Sequence, residues 1–175
     1  MSRYDRINEF REKNIPSGDV LSAADLNRND IIVDVGAGSG YYSRLFADYV
    51  DTVYSVEINP EAVELIRKNS MDKNNIKIIN EDICSLDIKN FNKVFYSLVF
   101  HDIECKDYIF NFMIGNSKKP LKVILIEFKN NAPIGPPVNI RIEHDWLKKI
   151  FENHGFREEN YIDLKYNYIN TYIMK

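Results

Sequence analysis

The chain has 175 residues, 45% of them hydrophobic and 28% charged, which suits one globular domain with a sizeable core and is too short for two ordinary ones. A net charge of −3 carries no basic footprint and argues against a nucleic-acid partner. No apolar run approaches the roughly 18 residues that span a bilayer, none follows the charged start Met1–Arg6, and Cys84 and Cys105 stand in no metal-binding or scaffold spacing. A cytoplasmic protein is therefore expected, with no membrane contact, no disulfide scaffold and no metal.

In chain order, residues 3–13 carry Tyr4, Ile7 and Phe10 at helical spacing, and Ile15-Pro16-Ser17-Gly18 ends that helix. A second short helix is expected over 19–26, so residues 1–30 form a helical cap on the remainder, 31–175. Ile31–Val35 is an apolar strand, Tyr41–Tyr49 a helix and Thr52–Val56 a second strand. Asn59-Pro60-Glu61 is a helix start with a cap, a proline at the first helical position and an acid in the first turn; that helix fades near Ser70. Further strands are expected at 76–79, 93–100 and 121–128, and helices at 108–114 and 142–153. A proline- and glycine-rich loop covers 130–137, and two closing strands fall near 159–164 and 167–174. Strand and helix alternate until that final pair. The pattern predicts an α/β fold in one domain, a Rossmann-like, doubly wound, mostly parallel seven-stranded sheet with a C-terminal antiparallel strand and helices on both faces.

The chemistry concentrates in Ile31-Ile-Val-Asp34-Val-Gly36-Ala37-Gly38-Ser-Gly40. A buried strand opens there into a loop that brings bare backbone close to a ligand. A dinucleotide loop would put its third glycine where Tyr41 stands, and a phosphate loop would follow Gly40 with lysine. Neither pattern is met, so the loop suits a ligand without a pyrophosphate or triphosphate. Glu57 closes the second strand 21 residues after Gly36, the spacing at which an acid takes ribose hydroxyls.

Asp34-Val-Gly36-Ala37-Gly38-Ser-Gly40 resembles the acidic-x-Gly-x-Gly-x-Gly signature of class I S-adenosylmethionine-dependent methyltransferases. Nearly the whole chain follows that pattern, and it is most similar to the small stand-alone type related to ubiquinone and menaquinone biosynthesis. The resemblance implies S-adenosylmethionine as cofactor. Asp34 would face its ammonium and the glycine-loop amides its carboxylate. Glu57 would take the ribose, with Ile58 on the adenine face. Asp82 would accept from the adenine amino group, with Ile83 at the ring edge and Glu81 as the adjacent competitor. Tyr41 and Ser97 complete the cofactor-binding set.

The expected acceptor is a small molecule in a monomer or homodimer, with methyl transfer by direct displacement at the sulfonium. A protein or RNA acceptor, or a binding module without catalysis, are the alternatives. His101, after the fourth strand, is the candidate base, with Asp102 to orient it. Phe100, Tyr42 and Arg141 are candidate substrate contacts. Glu127, Lys129 and Arg141 flank the 130–139 loop and could hold a polar group. Ser97-Leu98-Val99-Phe100 stands where exocyclic-amino nucleic-acid methyltransferases carry Asn/Asp-Pro-Pro-Tyr. His144 and His154 are expected at the surface. Either the N-terminal helices, the 130–139 loop or a partner copy would cover the site.

Overall fold

In the computed structural model, which describes residues 3–175, the glycine-ended run becomes strand β1 (Ile31–Val35) near the middle of a seven-stranded sheet. Met1 and Ser2, the first residues of the expected N-terminal cap, lie outside the described residues. The other strands are β2 (Thr52–Val56), β3 (Ile76–Ile79), β4 (Phe91–Ser97), β5 (Ser117–Phe128), β6 (Arg157–Asp163) and β7 (Asn167–Met174). Their order is β3-β2-β1-β4-β5-β7-β6. The first five run parallel, and β7 lies antiparallel between β5 and β6. This is the expected Rossmann-like sheet, and its carboxyl ends converge where β1 and β4 part to opposite neighbours, the crevice in which such sheets bind ligands.

The helices are α1 (Arg3–Asn14), α2 (Ser17–Ala24), α3 (Tyr41–Ala47), α4 (Pro60–Asn69), α5 (Lys106–Asn116) and α6 (His144–Asn153). Alternation along β1 sends Val33 and Val35 into a core shared with α5 and α6, and Ile32 into a second core shared with α2 and α3. Asp34 follows Ile32 and so points toward α3 rather than toward solvent. Helix α4 starts as its sequence dictates: Asn59 Oδ1 accepts from the Glu61 amide at 2.9 Å, and Pro60 needs no donor at that position.

Three departures from expectation bear on the site. Strand β4 stops at Ser97 rather than Phe100, because Leu98 adopts the left-handed conformation (φ 59°) and turns the chain. Residues Phe100–Asp102 then form a 3-10 turn. Second, Cys84 and Cys105 form a disulfide, although their separation of 21 residues matched no recognised spacing. It ties the turn after β3 to the residue that precedes α5. Closing a loop of that length removes unfolded-state entropy worth about 3 kcal/mol. Adding a dithiol reductant should therefore lower the melting temperature of the protein by several degrees, and Cys105→Ser should reproduce the shift; a melting curve insensitive to both would remove the bond from the account of stability. Third, His144 and His154 are half-buried rather than superficial. His144 Nε2 pairs with Glu158 at 2.5 Å, and His154 stacks on Phe110 with ring centroids 3.8 Å apart.

Candidate cofactor and acceptor site

The glycine loop needs its glycines for steric reasons. Gly36 has φ 66°, and a Cβ there would come within 2.6 Å of Val99 Cγ2. Gly40 has φ 81° and caps α3, with Ile66 Cγ2 at 3.2 Å from where its Cβ would stand. The chain thus folds back under the end of β4 at the first glycine and enters α3 at the third.

The amides of this loop serve it internally. Gly36 and Ala37 donate to the Val56 carbonyl at 2.9 and 3.1 Å, Gly40 donates to the Ala37 carbonyl, and Gly38 donates to Glu57 Oε2 at 2.8 Å. This corrects the expectation that the loop amides would receive a ligand carboxylate: four of them already have partners, because the tight turn must satisfy its own backbone. Glu57, 9% exposed, also accepts from the Asn59 amide at 2.9 Å. It therefore pins the glycine loop to the start of α4, and each carboxylate oxygen keeps a lone pair for a further donor.

Asp34 is 2% exposed. Its Oδ2 accepts from Ser43 Oγ at 2.5 Å, and Ser43 Oγ accepts from Ser55 Oγ at 2.6 Å. Burial pushes its pKa up to about 6; Ser43 and the Arg11 charge oppose the rise, and the Glu57 charge adds to it. The folded value lies above the ordinary 3.8, so between those values the folded protein holds the extra proton and stability falls as pH rises. Above pH 6 the free protein carries a buried carboxylate at a cost of about 3 kcal/mol, which a ligand ammonium would offset. Affinity for an ammonium-bearing ligand should therefore fall as pH drops from 7.5 to 5, by up to about tenfold per unit below the pKa. Calorimetry with S-adenosylhomocysteine at several pH values measures this, and a flat profile would refute the Asp34 role.

The remaining cofactor candidates fall around the same crevice. Ile58 is 62% exposed beside Glu57, an apolar side chain left uncovered. Asp82 is exposed, and its Oδ1 accepts from the Cys84 amide at 2.9 Å, capping the turn that carries Ile83. Ser97 is buried with its hydroxyl facing that of Tyr42. Tyr41 opens α3 with its ring edge-on to Tyr42. Tyr42 is not a surface contact for substrate: it is 2% exposed and packed on Phe46 and Phe95. Phe100 is likewise a core residue, fully buried between Tyr96 and Phe151, because the 3-10 turn rotates it inward.

Helix α1 roofs the glycine loop. Tyr4 lies over Gly38 and its hydroxyl accepts from Asn59 Nδ2 at 3.2 Å; Asn8 Nδ2 donates to Ser39 Oγ at 3.0 Å. Arg11, 5% exposed, stands over the Tyr42 ring at 5.1 Å. A cavity of about 440 Å³ separates Asn8 and Ser17 from Tyr41, Arg44 and Leu45 and reaches the glycine loop at Ser39.

On the other side of β4, His101 Nδ1 lies 2.7 Å from Glu127 Oε2, and the His101 amide donates to Glu127 Oε1 at 3.2 Å. Glu127 is 1% exposed at the end of β5. It, rather than the exposed Asp102 at 3.6 Å from Nε2, orients the imidazole. Burial pulls the His101 pKa down, but the hydrogen bond and charge of Glu127, helped by Asp102, outweigh it and the net shift is upward. His101 borders a second cavity, of about 350 Å³, with Lys106, Ile140, Ile142 and Trp146. Arg141 also borders it, yet its guanidinium donates to the carbonyls of Lys129, Asn130, Ala132, Ile134 and Pro136. These bonds curl the 130–137 loop at the rim of that cavity. Among the described residues, no group of three or more His, Cys, Asp and Glu could hold a metal ion, and no helix is long and apolar enough to cross a membrane.

The sequence reading missed Arg11, Ser43 and Ser55 altogether, and saw Glu127 only as a loop-flanking charge. A signal for Glu127 was present, an acid closing an apolar strand just as Asp34 does. Arg11 gave none, being one of several charges on a polar helix.

Residues 33–111 match the family model described as a methyltransferase domain. A ribosomal RNA small subunit methyltransferase A from Natranaerobius thermophilus is 24% identical over 87 residues, 50% of this chain and 29% of that protein. The same enzyme from Clostridioides difficile is 30% identical over 74 residues, 42% of this chain and 26% of its own length. The chain thus spans less than a third of the curated relatives it matches. Among solved structures, an S-adenosylmethionine-dependent methyltransferase from Aquifex aeolicus superposes with a TM-score of 0.86 at 17% identity, over 100% of both chains. The buried acid and the uncovered apolar residue fit an adenosyl amino acid. Residues 33–111 thus match a methyltransferase domain, and the chain as a whole has the fold of the S-adenosylmethionine-dependent methyltransferase from Aquifex aeolicus.

Proposed function

We propose that the chain transfers a methyl group from S-adenosylmethionine to a small-molecule acceptor that loses a proton as it is methylated. The observation that carries this reading is the His101–Glu127 pair, which opens on a cavity at the end of β4. The cofactor's sulfonium supplies an electrophilic methyl group, so the protein has only to bind, align and exclude water. Asp34 would hold the ammonium, Glu57 the ribose and Asp82 the adenine edge. Glu127 fixes the His101 Nδ1–H and leaves Nε2 to take the acceptor's proton. The cavity joins apolar walls, Ile140, Ile142 and Trp146, with the Lys106 ammonium, which suits an acceptor with an apolar body and a polar or anionic group. Incubation with methyl-labelled cofactor and a metabolite extract, followed by mass identification of labelled products, tests the reading. Absence of calorimetric heat with both S-adenosylmethionine and S-adenosylhomocysteine would sink it.

A second reading, an RNA acceptor, is favoured by the ribosomal RNA methyltransferases that match half of the chain. The net charge of −3 and the segment Ser97-Leu98-Val99-Phe100 weigh against it. Tight RNA binding that weakens steeply with salt would reverse the order of the two.

A further inference from the structure

The cavity beside His101 carries one charge that the fold does not use. Among the described residues, the charged or titratable groups on its border are His101, Lys106, Arg141 and Glu143. Three of them are committed elsewhere. His101 is bonded to Glu127 at 2.7 Å, the Arg141 guanidinium to loop carbonyls, and the exposed Glu143 to Asn130 Nδ2 at 2.5 Å. Lys106, half-buried, is the exception. No carboxylate among the described residues forms an ion pair with its ammonium. Lys106 Nζ donates to the Ile103 carbonyl and stands 5.6 Å from the centre of the Phe100 ring, which leaves it further donors. These two contacts keep the ammonium near His101, whose pKa its charge lowers. Nor does the helix gain from it: Lys106 is the first residue of α5, the end at which a cation is disfavoured.

Around this cation the walls are apolar and partly uncovered: Ile140 is 38% exposed and Trp146 46%. An ammonium with donors to spare beside such walls matches an anion attached to an apolar body. One ammonium, with Glu143 on the same border, balances a monoanion such as a carboxylate rather than a phosphate dianion. Resting on the methyl-transfer reading above, we infer that the acceptor is a compact apolar carboxylic acid and that Lys106 selects it by its charge. The carboxylate pairs with Lys106, the apolar frame covers Ile140 and Trp146, and a second, proton-bearing group faces His101 Nε2 and takes the methyl. Neutral and cationic compounds of the same shape are then poor acceptors, because the first leave the ammonium unpaired and the second are repelled by it.

Trp146 is the sole tryptophan of the chain, so its fluorescence reports on this cavity. The probes are cyclohexanecarboxylate, its neutral amide, cyclohexylmethylammonium and cyclohexyl phosphate, titrated in the presence of S-adenosylhomocysteine. On the wild type the carboxylate should change the emission and bind about tenfold more tightly than the amide, the scale of a hydrogen bond to a charged group, with the ammonium compound weaker still. Lys106→Gln should abolish the preference for the carboxylate, and Lys106→Arg should keep most of it. Should the glutamine variant not fold, the wild-type ranking and the arginine variant still decide. Equal affinity for carboxylate and amide, no response to any probe, or a preference that survives Lys106→Gln would overturn the Lys106 assignment while leaving the cofactor reading intact. Tighter binding of the phosphate would overturn the choice of a monoanion. Calorimetry with S-adenosylhomocysteine on the same samples tests the underlying reading: no heat would overturn methyl transfer, and with it the naming of the anion as acceptor, whatever the fluorescence shows.

Discussion

His101→Ala is expected to lower turnover by roughly 100- to 10,000-fold, the usual contribution of a positioned base, while cofactor affinity stays unchanged. Leu98, with φ 59°, ends β4 and directs the next residues across the crevice, a backbone state that costs about 1–3 kcal/mol in a non-glycine residue and recurs at functional sites. His101 arrives beside Glu127 at 2.7 Å, where Nδ1 is held and Nε2 remains for the acceptor. A base must be unprotonated to act, and Glu127 raises the His101 pKa. Turnover should therefore climb with pH along a limb centred above the ordinary 6.5. Glu127→Gln should move that limb to lower pH, a change that a purely structural Glu127 would not produce. The kcat profile of the three proteins against pH decides the matter, and full turnover by His101→Ala would exclude it as the base.

Glu57→Ala is expected to weaken S-adenosylhomocysteine binding by roughly 1–3 kcal/mol, the scale of hydrogen bonds to a charged acceptor. Two losses combine in this variant. The ribose hydroxyls lose their acceptor, and the amides of Gly38 and Asn59 lose the carboxylate that joins the glycine loop to the start of α4. Glu57→Gln separates them, since its amide keeps an acceptor oxygen for one of these amides but carries no charge. Dissociation constants from calorimetry, set beside melting temperatures, distinguish lost binding from a loosened loop. An unchanged dissociation constant in a folded Glu57→Ala protein would refute the ribose role.

Much of this site is local in the sequence. The apolar run at 31–35, the alternating glycines and the acid at 57 all lie on consecutive strand-loop-helix units, where spacing along the chain becomes spacing in space. The three glycines do adopt positive φ, and strands β1, β2, β3 and β7 have the expected limits. Phe100 and Tyr42 were misplaced for one shared reason. A residue type suited to ligand contact is equally suited to holding a loop or filling a core, and only neighbours distant in sequence decide which. Phe100 and Tyr42 turned into the two cores.

By itself, the sequence determined the sheet and the crevice at its carboxyl ends, because hydrophobic periodicity and glycine chemistry act over a few residues. The tertiary structure decided the pairings: Glu127 with His101 across 26 residues, Cys84 with Cys105 across 21, and Arg11 with the face of α3. Those pairings arise because strand order brings β4 beside β5 and lays α1 over the glycine loop. Charge and hydrogen-bonding capacity buried by that packing must find partners, and no local pattern in the chain names them.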